Sequence, residues 1–154
     1  MKKRPRNRTV TFLAAAALAG ASSLTLGATD AAAATWTFEK YTVGSNGSFT
    51  IGAYYNGIYA GLMEWNADPV DGGSGTTIPG DAFRVSDWYG DGYGMEATMT
   101  SPVTGRVATT RGHASRYVSK WNSGNLAEGT TVHIQLCAVK GDAFSCSFAY
   151  SGHA

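Results

Sequence analysis

The sequence predicts an all-β protein, an antiparallel β-sandwich or barrel-like domain of about eight strands behind an N-terminal leader. Three observations predict it. Charged residues make up only 15% of the chain while aromatics reach 12% and Gly numbers 20 of 154, a mix that favours strands and tight turns over helices. No stretch after residue 35 sustains a 3.6-residue apolar period, whereas period-two alternation recurs, as in "YGMEATMT" (93–100). Turn-forming pairs such as Asn-Gly and Gly-Asp also return at short intervals.

The leader comes first. Lys2, Lys3, Arg4, Arg6 and Arg8 precede the apolar run "TVTFLAAAALAGASSLTLGA" and then "DAAAAT". A basic head, an apolar middle and an Ala-x-Ala pattern are the parts of a secretory signal peptide. Residues 1–34 are assigned to it, with cleavage expected after Ala34 or, alternatively, Ala33. Ser22, Ser23 and Thr25 interrupt the apolar run, which argues for release over a membrane anchor. The absence of a twin-Arg pair before that run points to the general secretory route. Residues 35–154 are then a single secreted domain of a size that supports one core.

Export changes the charge. Of 12 basic and 11 acidic side chains, the leader removes five basic ones and Asp30. The remainder keeps seven cations and ten anions, a formal −3. The +1 of the whole chain is therefore no sign of nucleic-acid binding, and no membrane partner is expected after cleavage.

The strands follow in order. "TWTFEKYTV" (35–43) leads to a turn at Asn46-Gly47, and "SFTIGAYY" (48–55) leads to Asn56-Gly57, a pair suited to the positive φ of a two-residue hairpin. "IYAGLMEW" (58–65) returns, and "NADPVDGGSGTTIPG" (66–80) is a loop. "DAFRVSDW" (81–88), "YGMEATMT" (93–100) and "RVATTR" (106–111) come next, before a long polar segment at 112–130. The last two strands, "TVHIQLCAVK" and "AFSCSFAY", flank Gly141-Asp142, where Gly first suits a type II′ turn.

Counting outward from that turn places Cys137 opposite Cys146 at a non-hydrogen-bonded pair, where Cα atoms approach most closely. With an oxidising destination this predicts a disulfide. The same counting leaves both faces of the hairpin partly apolar. Val132, Ile134 and Leu136 point away from Cys137, while Phe144, Phe148 and Tyr150 share the face of Cys146. Either the hairpin is covered on both sides or a bulge shifts one strand.

"SDWYGDGYGMEATMT" (86–100) concentrates acids, Gly and aromatics. A hairpin turn at Asp91-Gly92 would set Asp87 beside Glu96. With Asp91 at the same tip, these carboxylates form a candidate Ca²⁺ site. A turn at Gly90-Asp91 would instead pair Val85 with Glu96. The ligand spacing of an EF-hand is not met, since Tyr89 and Thr98 fall where carboxylates or other oxygen ligands belong. A turn without metal or other cofactor is the expected reading.

Charge segregates along the chain. Residues 64–96 hold seven acids and one cation, Arg84; residues 97–127 hold Arg106, Arg111, Arg116 and Lys120 and no acid. The segment 111–121 adds His113, Tyr117 and Trp121. Arg pairs with carboxylate or phosphate, and aromatic rings stack on sugars. Arg111, His113, Arg116, Tyr117 and Trp121 are thus the candidate binding residues. The competing expectation is that the cations simply neutralise neighbouring acids.

Catalytic patterns are missing. There is no Gly-x-Ser-x-Gly, His-Glu-x-x-His, P-loop or Cys-x-x-Cys, and no catalytic residue is assigned. His113 or His133 with nearby Asp and Ser, or Glu64 with Asp87, are the pairings a small hydrolase would need.

The pieces "YGDGYGMEA", "GRVATTRGH", "NSGNLAEGT" and "CAVKGDAFSCS" resemble small exported proteins of high-GC Gram-positive bacteria of the Streptomyces type. That resemblance covers residues 86–147 and implies a small, secreted, β-rich protein, with no residue roles attached. The expected function is non-enzymatic binding of a cell-wall polymer or polysaccharide through 111–121. A protein-directed inhibitor or antagonist of a secreted protein is the first alternative, and a small extracellular hydrolase the second.

Overall fold

The computed structural model describes residues 35–154, and the expected signal peptide lies outside the described residues. Thirteen strands and no helix are present among them. The chain runs through Trp36–Thr42 (β1), Phe49–Tyr55 (β2), Ile58–Asn66 (β3), Val70–Asp71 (β4), Thr77–Ile78 (β5) and Ala82–Asp87 (β6). It continues through Gly94–Ser101 (β7), Arg106–Thr109 (β8), Tyr117–Val118 (β9) and Asn122–Ser123 (β10). Thr131–Lys140 (β11), Ala143–Cys146 (β12) and Tyr150–His153 (β13) complete it.

Two antiparallel sheets form. The first has the order β1-β2-β3-β6-β10, with β9 also on β6; the second has β12-β11-β7-β8, with β13 beside β11. The hairpin β4-β5 stands apart. Alternation explains the burial. Val132, Ile134, Leu136 and Ala138 of β11 are buried while Gln135 and Cys137 between them are not, and Met95, Ala97 and Met99 repeat this on β7. Phe49, Ile51, Met63, Trp65, Phe83 and Val85 from the first sheet share one core with these residues. The arrangement is that of two facing sheets, as in a β-sandwich.

The sheets touch closely at one point. A Cβ added to Gly61 would lie 2.3 Å from the Ser86 carbonyl oxygen and 2.8 Å from Met95 Cγ. Only a residue without that carbon lets β3 lie against both its neighbour and the facing sheet. Trp65 adds a polar tie, its Nε1 donating to the His153 carbonyl at 2.9 Å. Arg106 of β8 is another, donating from Nη2 to the Asp81 carbonyl at 2.8 Å and to the Asn122 carbonyl at 2.6 Å. Burial pushes the Arg106 pKa down.

Each of the eight expected strands has a counterpart. The count of thirteen comes from four two-residue strands (β4, β5, β9 and β10) and from a break in the last expected strand. That break resolves the two-faced hairpin. Cys146 pairs with Cys137, yet Tyr150 pairs with Ile134, so the register moves by one residue across 147–149. The bulge turns Tyr150 towards the core and leaves Phe144 and Phe148 75% and 86% exposed.

The stretch 88–93 is corrected. It joins β6 of the first sheet to β7 of the second, so it is a crossing between sheets and not a hairpin. Neither register counted from its glycines occurs, because β6 pairs with β3, β9 and β10 while β7 pairs with β8 and β11. Turn residues mark a reversal in either case, and only long-range pairing distinguishes the two.

Cys137 and Cys146 form a disulfide with Cα atoms 4.0 Å apart. The loop it closes is short, so the cross-link contributes about 2–3 kcal/mol through the unfolded chain. The double variant C137S/C146S is expected to lose that amount in urea unfolding, with the same sheets retained by circular dichroism. A loss below about 0.5 kcal/mol would remove the disulfide from the stabilising interactions.

Candidate functional site

Two crossings meet at one end of the molecule. Residues 88–93 carry the chain from the first sheet to the second, and residues 110–116 carry it back. With the β11–β12 turn they wall an open cavity of about 380 Å³. Asp87, Tyr93, Arg111, His113 and Lys140 line it.

Asp87 ends β6 and is 2% exposed. Its Oδ1 accepts from the Tyr89 N–H at 3.2 Å, and its carbonyl accepts from the Arg116 N–H at 2.7 Å. One residue thus ties both crossings. Burial raises its pKa to about 6; the Tyr89 hydrogen bond opposes the rise and the Asp91 charge adds to it.

Arg111 is braced before any ligand arrives. Nε donates to Glu96 Oε2 at 2.9 Å and Nη1 donates to the Gly141 carbonyl at 3.0 Å. Nη2 has no partner among the described residues. Lys140 Nζ donates to the Asp91 carbonyl at 3.2 Å and sits 5.2 Å from the centre of the Tyr93 ring. His113 lies flat on Tyr117, ring centres 3.7 Å apart and planes 5° from parallel. Cations, flat rings and one tunable carboxyl therefore border a single cavity.

The five candidate binding residues separate. Arg111 and His113 line the cavity and Tyr117 backs it. Arg116 adopts φ 66°, fixed by its backbone bond to Asp87. Trp121 lies elsewhere, in a groove by the first sheet, with the Arg84 guanidinium 4.4 Å from its ring centre. The segment changes sheet between these residues, so sequence proximity does not make one site.

The three candidate metal ligands separate as well. Asp87 is buried at the end of β6, Glu96 pairs with Arg111, and Asp91 uses Oδ1 to accept from the Tyr93 N–H at 2.8 Å. No group of three or more His, Cys, Asp or Glu side chains is placed to hold a metal ion among the described residues. Charge pairing does occur between the segregated stretches, at Arg111–Glu96 and, within the acidic stretch, at Arg84–Glu64.

Lys140 and Tyr93 are site residues that sequence reasoning missed. Their spacing of 47 positions carries no local pattern, and only the pairing of Val139 with Gly94 brings them together. No protein-family model, curated protein or solved structure matches the chain.

The raised pKa has a consequence for stability. Folded Asp87 keeps its proton up to about pH 6 while the unfolded residue releases it near 3.8. Stability therefore falls as pH rises through that window and stays lower above it. Asp87→Asn retains an oxygen for Tyr89 and carries no charge. It is expected to raise the melting temperature at about pH 8 and to give no gain at about pH 3.5. A pH-independent effect would contradict a buried, destabilised carboxylate.

Proposed function

We propose that this is a secreted, non-enzymatic protein that binds an anionic surface polymer or polysaccharide at the end cavity, using the first part of the 111–121 segment. The observation that supports this most is the braced Arg111 guanidinium with an unused Nη2 beside Lys140 in an open cavity. A carboxylate or phosphate gains charge-assisted hydrogen bonds there. Little side-chain entropy is lost, since the cation is already held. The Tyr93 and His113 rings offer flat surfaces to sugar units. The disulfide accords with an oxidising, extracellular location, and the signal peptide expected at 1–34 supplies the route.

Binding of the mature chain to purified cell walls and to polygalacturonate tests the proposal. Arg111→Ala and Lys140→Ala should each weaken binding about tenfold, the scale of one charge-assisted hydrogen bond. Added salt should weaken binding in the wild type. Acidification through about pH 6 should strengthen it as Asp87 loses its charge, and Asp87→Asn should remove that part of the pH response. Salt-insensitive binding, or binding unchanged in both cation variants, would sink the reading.

A second reading rests on Phe144 and Phe148, which stand 75% and 86% exposed on the bulged edge. Large exposed rings suit a protein partner, as for an inhibitor or antagonist. On that reading Phe148→Ala abolishes capture of a secreted protein while wall binding is unaffected. Capture that survives Phe144→Ala together with Phe148→Ala removes it.

A further inference from the structure

The outward face of the first sheet carries a second set of groups that the end cavity does not use. Register places Tyr41 opposite Thr50, Thr50 opposite Glu64, and Glu64 opposite Arg84. Their neighbours Phe49, Ile51, Met63, Trp65, Phe83 and Val85 fill the core, so these four side chains form a row on the opposite face. At about 4.8 Å per strand the row is about 15 Å long.

Each end of the row is aromatic. At one end Arg84 lies over the Trp121 ring at 4.4 Å, while its Nε donates to Glu64 Oε2 at 2.6 Å. At the other end the Tyr41 hydroxyl donates to the Glu39 carboxylate and sits 2.7 Å from the Tyr54 hydroxyl. Tyr54 in turn meets Tyr59 edge to face, ring centres 5.6 Å apart. Tyr41 and Tyr59 are 44% and 43% exposed. A groove of about 450 Å³ lies along Thr50, Glu64, Arg84 and Trp121, with Val70 and Ile78 of the β4-β5 hairpin on its border.

We propose that this face binds an uncharged polysaccharide laid across the strands, with Trp121 and Tyr41 as stacking positions and Glu64 and Arg84 taking hydroxyl groups between them. A pyranose ring presents C–H bonds on its faces and hydroxyls around its rim. Aromatic rings accept the faces, and a planar carboxylate beside a guanidinium offers an acceptor and donors to the rim. Charge selects the ligand class. Glu64 and Arg84 neutralise each other, so the groove offers hydrogen bonds of both kinds and no net attraction for an anion. Arg84 is held from two sides before binding, which lowers the ordering cost.

This site is independent of the end cavity, and the experiment keeps the two apart. Affinity electrophoresis of the mature chain in gels containing hydroxyethylcellulose, soluble starch or mannan reads binding to neutral chains. At least one of these glycans should retard the wild type, at low and high salt alike. Trp121→Ala and Tyr41→Ala should each weaken that retardation about tenfold, Trp121→Phe should keep most of it, and Arg111→Ala should leave it unchanged. Thermal melts of each variant confirm the fold, and Tyr41→Ala decides the matter if Trp121→Ala does not fold. Retardation by none of the glycans overturns the proposal, as does retardation that Tyr41→Ala, or a folded Trp121→Ala, leaves at the wild-type level. A concentration-dependent dimer that buries Trp121 likewise overturns it.

Discussion

Strand β6 is bracketed by two aspartates, and the hydrogen bonds they accept hold the crossings of the chain between its sheets. Asp87 at one end binds the Tyr89 and Arg116 backbone N–H groups. Asp81 at the other end accepts from the Leu126 N–H at 2.7 Å through Oδ2 and from the Gly124 N–H at 3.1 Å through its carbonyl. A chain that leaves a sheet gives up its ladder partners, and its buried N–H groups must find others. Carboxylates and carbonyls at the ends of β6 supply them. The two sheets can then pack face to face although their strands are interleaved in sequence.

This bracing is unequal in cost. Asp81 faces Arg106, whose guanidinium reaches its carbonyl, and its own charge raises the Arg106 pKa against burial. Asp87 has no ion pair among the described residues, and burial lifts its pKa to about 6. The end cavity thus contains a carboxyl held in an unfavourable environment by the crossings it anchors. Strained or perturbed groups of this kind gather where a fold meets a ligand. The surrounding glycines, among them Gly92, Gly112 and Gly141 with φ of 80°, 80° and 56°, let the backbone turn tightly around it.

The two candidate surfaces differ in how they treat charge. Around the end cavity, Arg111 pairs with Glu96 and also donates to the Gly141 carbonyl, while Lys140 donates to the Asp91 carbonyl. On the outer face of the first sheet, Arg84 and Glu64 satisfy each other beside Trp121. Each surface thus holds its guanidinium against a carboxylate, and the end cavity adds Lys140, a cation fixed by a carbonyl dipole.

The sequence by itself determined the features that depend on neighbours along the chain. Alternation located the strands, the Asn56-Gly57 and Gly141-Asp142 pairs set two hairpin registers, and counting from the second placed Cys137 against Cys146. Such features follow from backbone preferences over a few residues. Only the tertiary structure decided which strands share a sheet. Alternation says that a face is buried without saying what buries it, so 88–93 read as a hairpin although its flanking strands lie in opposite sheets. For the same reason Arg111 and Trp121, ten residues apart, fall in different places, while Asp87 and Lys140 border one cavity.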